Sequence, residues 1–250
     1  MSLSTSYIAV IPARYESSRL PGKPLIEIEG VPMIVRTYRQ CAKVLPRESI
    51  IVATDDARIR DVCDSESIPV MMTSPNCLCG TDRVAEVARA ITRDVYINLQ
   101  GDEPIFDPEN IDRILGAVAD YPDEVLNGYA EISTESEFRS PTIPKVLIAE
   151  DGRLLYASRA AVPTDKQFKY VKAWKQVCVY SFPRAALLNF AAKDSKSNLE
   201  AIEDIEILRF LEAGDVVRMV EMTANSIAVD VPEDVARVSE KIRAQPKLYL

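Results

Sequence analysis

Arg14, Arg19 and Lys23 lie close together in sequence, with Ser17 and Ser18 between them and Pro12, Pro21, Gly22 and Pro24 as punctuation. Guanidinium and ammonium groups offset phosphate charge, and hydroxyls with free backbone N–H groups cradle phosphate oxygens, so this set suits a triphosphate. A solvated basic loop is the competing reading of the same residues. The segment has neither the G-x-x-x-x-G-K-[ST] of a P-loop nor the G-x-G-x-x-G of a dinucleotide fold. Carboxylates appear at two further points: Asp102, within Gln100-Gly101-Asp102-Glu103-Pro104, and Asp230, ahead of Val231-Pro232. Such a pair could hold Mg2+, which takes one or two carboxylates and leaves its other positions to phosphate and water. Each Asp alone serves equally well as a turn or helix-cap residue, and capping is the expected role of Asp55 and Asp56.

The chain contains no histidine. That removes Ser-His and Cys-His nucleophiles and His-bound catalytic metals, leaving carboxylates, cations, hydroxyls and an oxygen-bound metal. Cys41, Cys63, Cys77, Cys79 and Cys178 are scattered and odd in number. That pattern argues for a reducing compartment, the cytoplasm, over a disulfide framework. Cys77-x-Cys79 has no second close pair, so a structural zinc site is not expected.

The elements that must position these groups follow from periodicity. A β-branched run over 7–11 reads as a buried first strand. It puts the cationic loop at the carboxyl end of a sheet, where α/β sheets bind ligands. Helical spacing over 33–44, a strand over 50–54, a helix through Ile59 and Val62 and a strand near 70–72 follow. A helix over 81–91 and a strand over 95–99 complete the alternation. It predicts βαβ units on a parallel sheet. From about Leu126 the rhythm changes. Strand-like runs over 145–148, 154–157 and 175–182 predict an inserted, mostly antiparallel sheet that caps the site or pairs two subunits. Helices are expected over 183–192 and 202–213, with Glu203 and Glu206 on one polar face. A strand pair over 216–220 and 227–229 then leads to Asp230 and a closing helix from about Pro232.

With 250 residues the chain has room for one large α/β domain with an insertion. A net charge of −8 argues against sequence-independent nucleic-acid binding, which needs excess Lys and Arg on one face. No apolar run approaches the ~20 residues of a membrane span, and no signal-peptide layout opens the chain.

The run x-P-A-R-Y-x-S-x-R-L-P-G-K-P-L over residues 11–25 resembles the opening of the sugar-acid cytidylyltransferases, most closely the 3-deoxy-manno-octulosonate (Kdo) cytidylyltransferases. Gly80-Thr81-Asp82-Arg83, the Gln-Gly-Asp-Glu-Pro run and the Val-Asp-x-Pro-Glu-Asp run at 229–234 share that resemblance, which spans nearly the full chain. It implies a three-layer, Rossmann-like fold of the nucleotide-diphospho-sugar-transferase type: a mostly parallel sheet in a single domain over 1–250, with an antiparallel dimerisation sheet inserted at about 126–182. It further implies CTP contacts from Pro12, Ala13, Arg14, Arg19, Lys23, Gly80, Thr81 and Arg83, with Lys23, Arg14 and Asp102 as the catalytic groups. Asp102 and Asp230 become Mg2+ ligands, and Gln100, Arg159, Gln176, Tyr180 and Glu206 become sugar-acid contacts. A bidentate Arg–carboxylate fork is the expected physics for Arg159.

The match departs at three points. Gln176-Val177-Cys178-Val179-Tyr180 replaces a His-x-Gly-x-Tyr run, Ile207 replaces a Gln, and Cys77-Leu78-Cys79 replaces a His-x-Ser. The implied activity is a CTP-dependent transfer to a 3-deoxy-2-keto sugar acid in a cytoplasmic homodimer that serves lipopolysaccharide or capsule biosynthesis, with no nucleic-acid or membrane partner. Kdo, a modified Kdo and a nonulosonate stay open as acceptors. Sugar-1-phosphate nucleotidyl transfer and a non-catalytic nucleotide-binding relative are the competing readings.

Overall fold

The computed structural model describes residues 5–16 and 20–249. Chain order in the first half is β1 (Tyr7–Ala13), the short hairpin β2 (Glu27–Ile28) and β3 (Val31–Pro32), α1 (Met33–Cys41), β4 (Ile50–Thr54), α2 (Ala57–Ser65), β5 (Val70–Met72), α3 (Gly80–Ala90), β6 (Val95–Leu99) and α4 (Glu109–Asp120). The second half runs β7 (Val125–Glu131), α5 (Glu135–Arg139), β8 (Lys145–Ile148), β9 (Leu154–Ser158), β10 (Trp174–Pro183), α6 (Arg184–Phe190), α7 (Asn198–Glu203), α8 (Ile207–Ala213), β11 (Val217–Glu221), α9 (Pro232–Ala244) and α10 (Pro246–Tyr249).

One mixed sheet runs in the order β11-β7-β10-β6-β1-β4-β5. β1 lies at its heart, parallel to β6 on one side and to β4 on the other. Because strand side chains alternate, β1 sends Ile8 and Val10 to one face and Ala9, Ile11 and Ala13 to the other. The first face is covered by α3, α6 and α8 through Val84, Leu187 and Phe210; the second by α1, α2 and α4 through Ile34, Ile59 and Ile114. Each fully buried Ile, Leu or Val adds roughly 1.5–3 kcal/mol of burial free energy, so both helix layers are strongly held. The architecture is therefore the expected three-layer α/β fold.

Three expectations change. The antiparallel pairing between about 126 and 182 is present but is built into the main sheet. β7 and β10 are interior strands, and only β8 and β9 stand off its path, joined to β10 at Trp174 and Lys175. Strand-like runs that follow one another without long helices between them are why part of the main sheet reads as a separate unit. Second, the single helix expected over 202–213 breaks at Asp204, whose φ of 52° is left-handed, so Glu203 and Glu206 flank a corner and face different neighbours. Third, residues 227–229 form no ladder; the Val229 N–H instead donates to the Asp102 carbonyl at 2.9 Å.

Candidate active site

The carboxyl ends of β1 and β6 meet at Pro12 and Gly101. A Cβ on Gly101 would come within 2.8 Å of the Pro12 carbonyl oxygen. Only glycine permits this approach of backbone to backbone. Asp102, the next residue, is thereby set against the loop that leaves β1. That loop turns back on itself: Gly22, at φ 69°, donates its N–H to the Tyr15 carbonyl at 3.0 Å, and a short 3-10 turn over Lys23–Leu25 follows. The turn aims Lys23 back under the loop. Its Nζ donates to Asp102 Oδ2 at 2.6 Å and to Asp230 Oδ1 at 3.2 Å.

Asp230 reaches this point because it is not the cap of α9. Asp234 reaches back to accept the N–H groups of Asp230 and Val231 at 3.0 and 3.2 Å. With Asp234 serving this reciprocal capping role, the Asp230 carboxylate is kept out of the cap and within reach of Lys23. Two carboxylates from distant segments thus converge on one cation. Their chemistry fits a hard divalent ion: oxygen donors only, two in number, at the mouth of a cleft with room for phosphate and water. No cluster of three or more potential ligands occurs among the described residues.

The cleft has a volume of about 390 Å3. Pro12, Ala13, Arg14 and Lys23 line it from the β1 side, with Gln100 and Asp102 below and Asp230 beside them. Arg14 is exposed and makes no hydrogen bond among the described residues. Arg19 lies outside the described residues. Asp56 caps α2 as expected, accepting the Arg58 N–H at 2.9 Å.

Gly80 and Cys77-Leu78-Cys79 line the cleft at the start of α3, where a Cβ on Gly80 would sit 3.5 Å from Pro12 Cγ. Here the anion-binding end of the helix is already filled. Glu206 accepts the Gly80 and Thr81 N–H groups at 3.3 and 3.1 Å, together with the Thr81 hydroxyl. Arg83 also faces the cleft, but its guanidinium is only 4% exposed and is held by Thr73, Ser74 and Asp55, the last at 3.0 Å. Behind the loop lies a buried network. Arg209, 1% exposed, forks onto both Glu200 oxygens at 2.5 and 2.6 Å and reaches Asp82 at 3.1 Å; the other oxygen of Asp82 accepts the Cys79 N–H.

Three expected sugar contacts do not line this cleft. Arg159 donates from Nε, Nη1 and Nη2 to the carbonyls of Glu203, Pro141 and Asp204, so its fork closes on backbone instead of opening to a ligand. Gln176 turns its amide to Asn127 Oδ1 at 2.8 Å, and Asn127 in turn donates to the Val177 and Val179 carbonyls. Together they clamp a bulge in β10. Tyr180, just past that bulge, is 6% exposed. Burial, then the nearby Cys178 and Glu206, push its hydroxyl well above the usual phenol range. Ile207 is buried in the core.

Glu103 is buried beside Asp102, with its Oε2 unpartnered among the described residues. Burial lifts its carboxyl to about 7. Lys196 and Asp204 complete the rim, paired at 2.6 Å, and no periodicity pointed to either. They occupy irregular segments whose only signal is where the chain folds them.

Residues 8–227 match the family model described as cytidylyltransferase. A 3-deoxy-manno-octulosonate cytidylyltransferase of Chlorobium phaeovibrioides is 41% identical over 244 residues, covering 96% of this chain and 98% of the relative. One from Myxococcus xanthus is 39% identical over 240 residues, covering 95% and 97%. Among solved structures, a CMP:2-keto-3-deoxy-manno-octonic acid synthetase complexed with CTP superposes with a TM-score of 0.90 at 34% identity, covering 96% of this chain and all of that one. A crystal structure of HddC from Yersinia pseudotuberculosis, at 15% identity and a TM-score of 0.68 over 95% of this chain and 99% of that one, shares the fold alone.

Proposed function

This chain belongs to the cytidylyltransferase family, among the 3-deoxy-manno-octulosonate cytidylyltransferases, and on that premise we propose that it activates Kdo with CTP, forming CMP-Kdo and pyrophosphate. The observation that carries this reading is the meeting of Lys23, Asp102 and Asp230 at one end of a cleft whose walls hold Arg14 and Gly80. The anomeric hydroxyl of the sugar acid attacks the α-phosphorus of CTP. The new O–P bond forms as the bond to the bridging oxygen breaks, the hydroxyl proton passes to solvent, and pyrophosphate leaves.

There is little covalent work for the protein in such a transfer; positioning and charge neutralisation supply the rate. Arg14 and Lys23 offset charge on the triphosphate, and Gln100 lines the floor where donor and acceptor meet. Mg2+ held by Asp102 and Asp230 would supply charge neutralisation on the phosphates and acidity to the incoming hydroxyl. Glu206, by capping α3, fixes the wall that carries Gly80, so it orients the nucleotide side while itself facing the cleft. Among the described residues no helix is long and apolar enough to cross a membrane. We place the enzyme in the cytoplasm as a homodimer paired through the antiparallel strands between about 126 and 182, in lipopolysaccharide or capsule biosynthesis.

Pyrophosphate release with CTP, Mg2+ and a panel of 2-keto-3-deoxy acids tests the reading. Kdo is expected to be the best acceptor, and Asp102→Asn is expected to lower turnover at least a hundredfold with near-normal melting. CTP binding without pyrophosphate release from any acid would refute it.

A further inference from the structure

An acid that enters this cleft brings a carboxylate that must leave water, so a cation has to meet it. The expected fork, Arg159, is committed to three backbone carbonyls. Arg83 is committed to Asp55 and Thr73, and Lys23 to Asp102 and Asp230. Arg14 stands on the β1 wall, with the other groups suited to triphosphate. One further cation lines the cleft among the described residues: Lys196, from the segment joining α6 to α7.

The surroundings of Lys196 fit a polyhydroxy monoacid better than a triphosphate. Asp204 lines the cleft beside it, while Glu200 is closed on Arg209 and Glu206 on the start of α3. The exposed Asp204 carboxylate repels the several negative charges of a triphosphate, yet it accepts hydrogen bonds from sugar hydroxyls. An ammonium beside it is placed to take a single carboxylate. Its present partner is easily exchanged. Lys196 Nζ is 2.6 Å from Asp204 Oδ1, but the Asp204 side chain is 72% exposed. Exposed pairs of this kind are screened by water and hold only weakly.

Resting on the cytidylyl-transfer reading, we propose that Lys196 is the acceptor's carboxylate contact: it exchanges Asp204 for the carboxylate of the incoming sugar acid. The role expected of Arg159 thus passes to a residue on the other side of the corner at Asp204. Asp204 acts as a resident competitor that keeps the ammonium poised at the rim.

Steady-state kinetics of pyrophosphate release with CTP and Kdo, on full-length Lys196→Met, Lys196→Arg and Asp204→Asn, tests this. A charged hydrogen bond to a carboxylate contributes about 1.5–3 kcal/mol, so Lys196→Met is expected to raise the KM for Kdo about ten- to hundredfold. The KM for CTP should stay within about twofold, and Lys196→Arg should recover most of the loss. Asp204→Asn removes the competitor and is expected to lower the KM for Kdo or leave it unchanged. If Lys196→Met and Asp204→Asn raise it alike, the pair merely braces the loop and the proposal fails. A rise in the KM for CTP alone would reassign Lys196 to the triphosphate, and unchanged constants would remove it from the site. Wild-type enzyme that released no pyrophosphate with any acid would overturn cytidylyl transfer itself, and this proposal with it.

Discussion

Glu200→Gln offers the sharpest check on how the cleft wall is held. Arg209 and Glu200 are 1% and 0% exposed, and the guanidinium forks onto both carboxylate oxygens. Making Glu200 neutral leaves a buried guanidinium with Asp82 as its one remaining counter-charge, 3.1 Å away. Breaking a buried pair from one side costs about 3–5 kcal/mol, and the surviving Asp82 contact puts the expected loss near the low end, about 3 kcal/mol. For a domain of this size each kcal/mol shifts the melting temperature by about 2–4 °C, so calorimetry should record a fall of about 6–12 °C. Asp82 also accepts the Cys79 N–H, so a loosened Asp82 loosens the cleft loop, and calorimetric titration should show weaker CTP binding. Replacing the pair together, Glu200→Leu with Arg209→Met, removes both charges and should recover most of the melting temperature. A fall under about 2 °C for Glu200→Gln, well below the shift that a one-sided break implies, would refute the reasoning. So would a double variant less stable than the single one.

Gly101→Ala drives a methyl to 2.8 Å from the Pro12 carbonyl. A loss of about 1–3 kcal/mol in urea unfolding is expected, with reduced kcat because Asp102 shifts against the β1 loop. Glu103 gives a pH signature. Its carboxyl sits at about 7 in the fold against an ordinary 4.5. Its contribution is therefore full below the ordinary value and lost as pH rises through the folded one, by about 3 kcal/mol. Melting in chelator should show a gap between wild type and Glu103→Gln that changes with that sign across this window; a constant gap would count against it. Burial lifts Cys41, Cys63 and Cys178 to about 12 and Cys77 to about 11. Iodoacetamide at neutral pH should therefore leave activity intact, and rapid inactivation would contradict this. Removing divalent ions should abolish turnover without lowering the melting temperature by more than a few degrees, since Lys23 already bridges the two carboxylates.

Much of this was legible in the sequence because it is local. The apolar run of β1 and the Gly101-Asp102 step after β6 announce strand ends, and strand ends of parallel sheets meet on one edge. Arg14 and Asp102 sit where that rule puts them; Lys23 and Asp230 stand out through the family resemblance, since Lys23 lies on a short turn and no strand ends just before Asp230. The acceptor side did not follow, because its geometry depends on long-range partners. Nothing near Arg159 in sequence signals that the carbonyls of Pro141, Glu203 and Asp204 will surround it, and nothing near Gln176 signals Asn127. The left-handed turn at Asp204 escaped notice because residues 202–213 keep an amphipathic pattern across the break. Arg209, Glu200 and Asp82 read as surface charges when each is taken by itself, and only the fold brings them together.

The bond from the Val229 amide to the Asp102 carbonyl has a consequence for synthesis. Through it the chain emerging after β11 is stitched directly beneath the first aspartate, which fixes where the second one stands. A nascent polypeptide that has delivered every strand of the sheet still presents only half of the ion-binding pair. A chain cut after β11 would therefore keep every strand of the sheet and lack the second carboxylate.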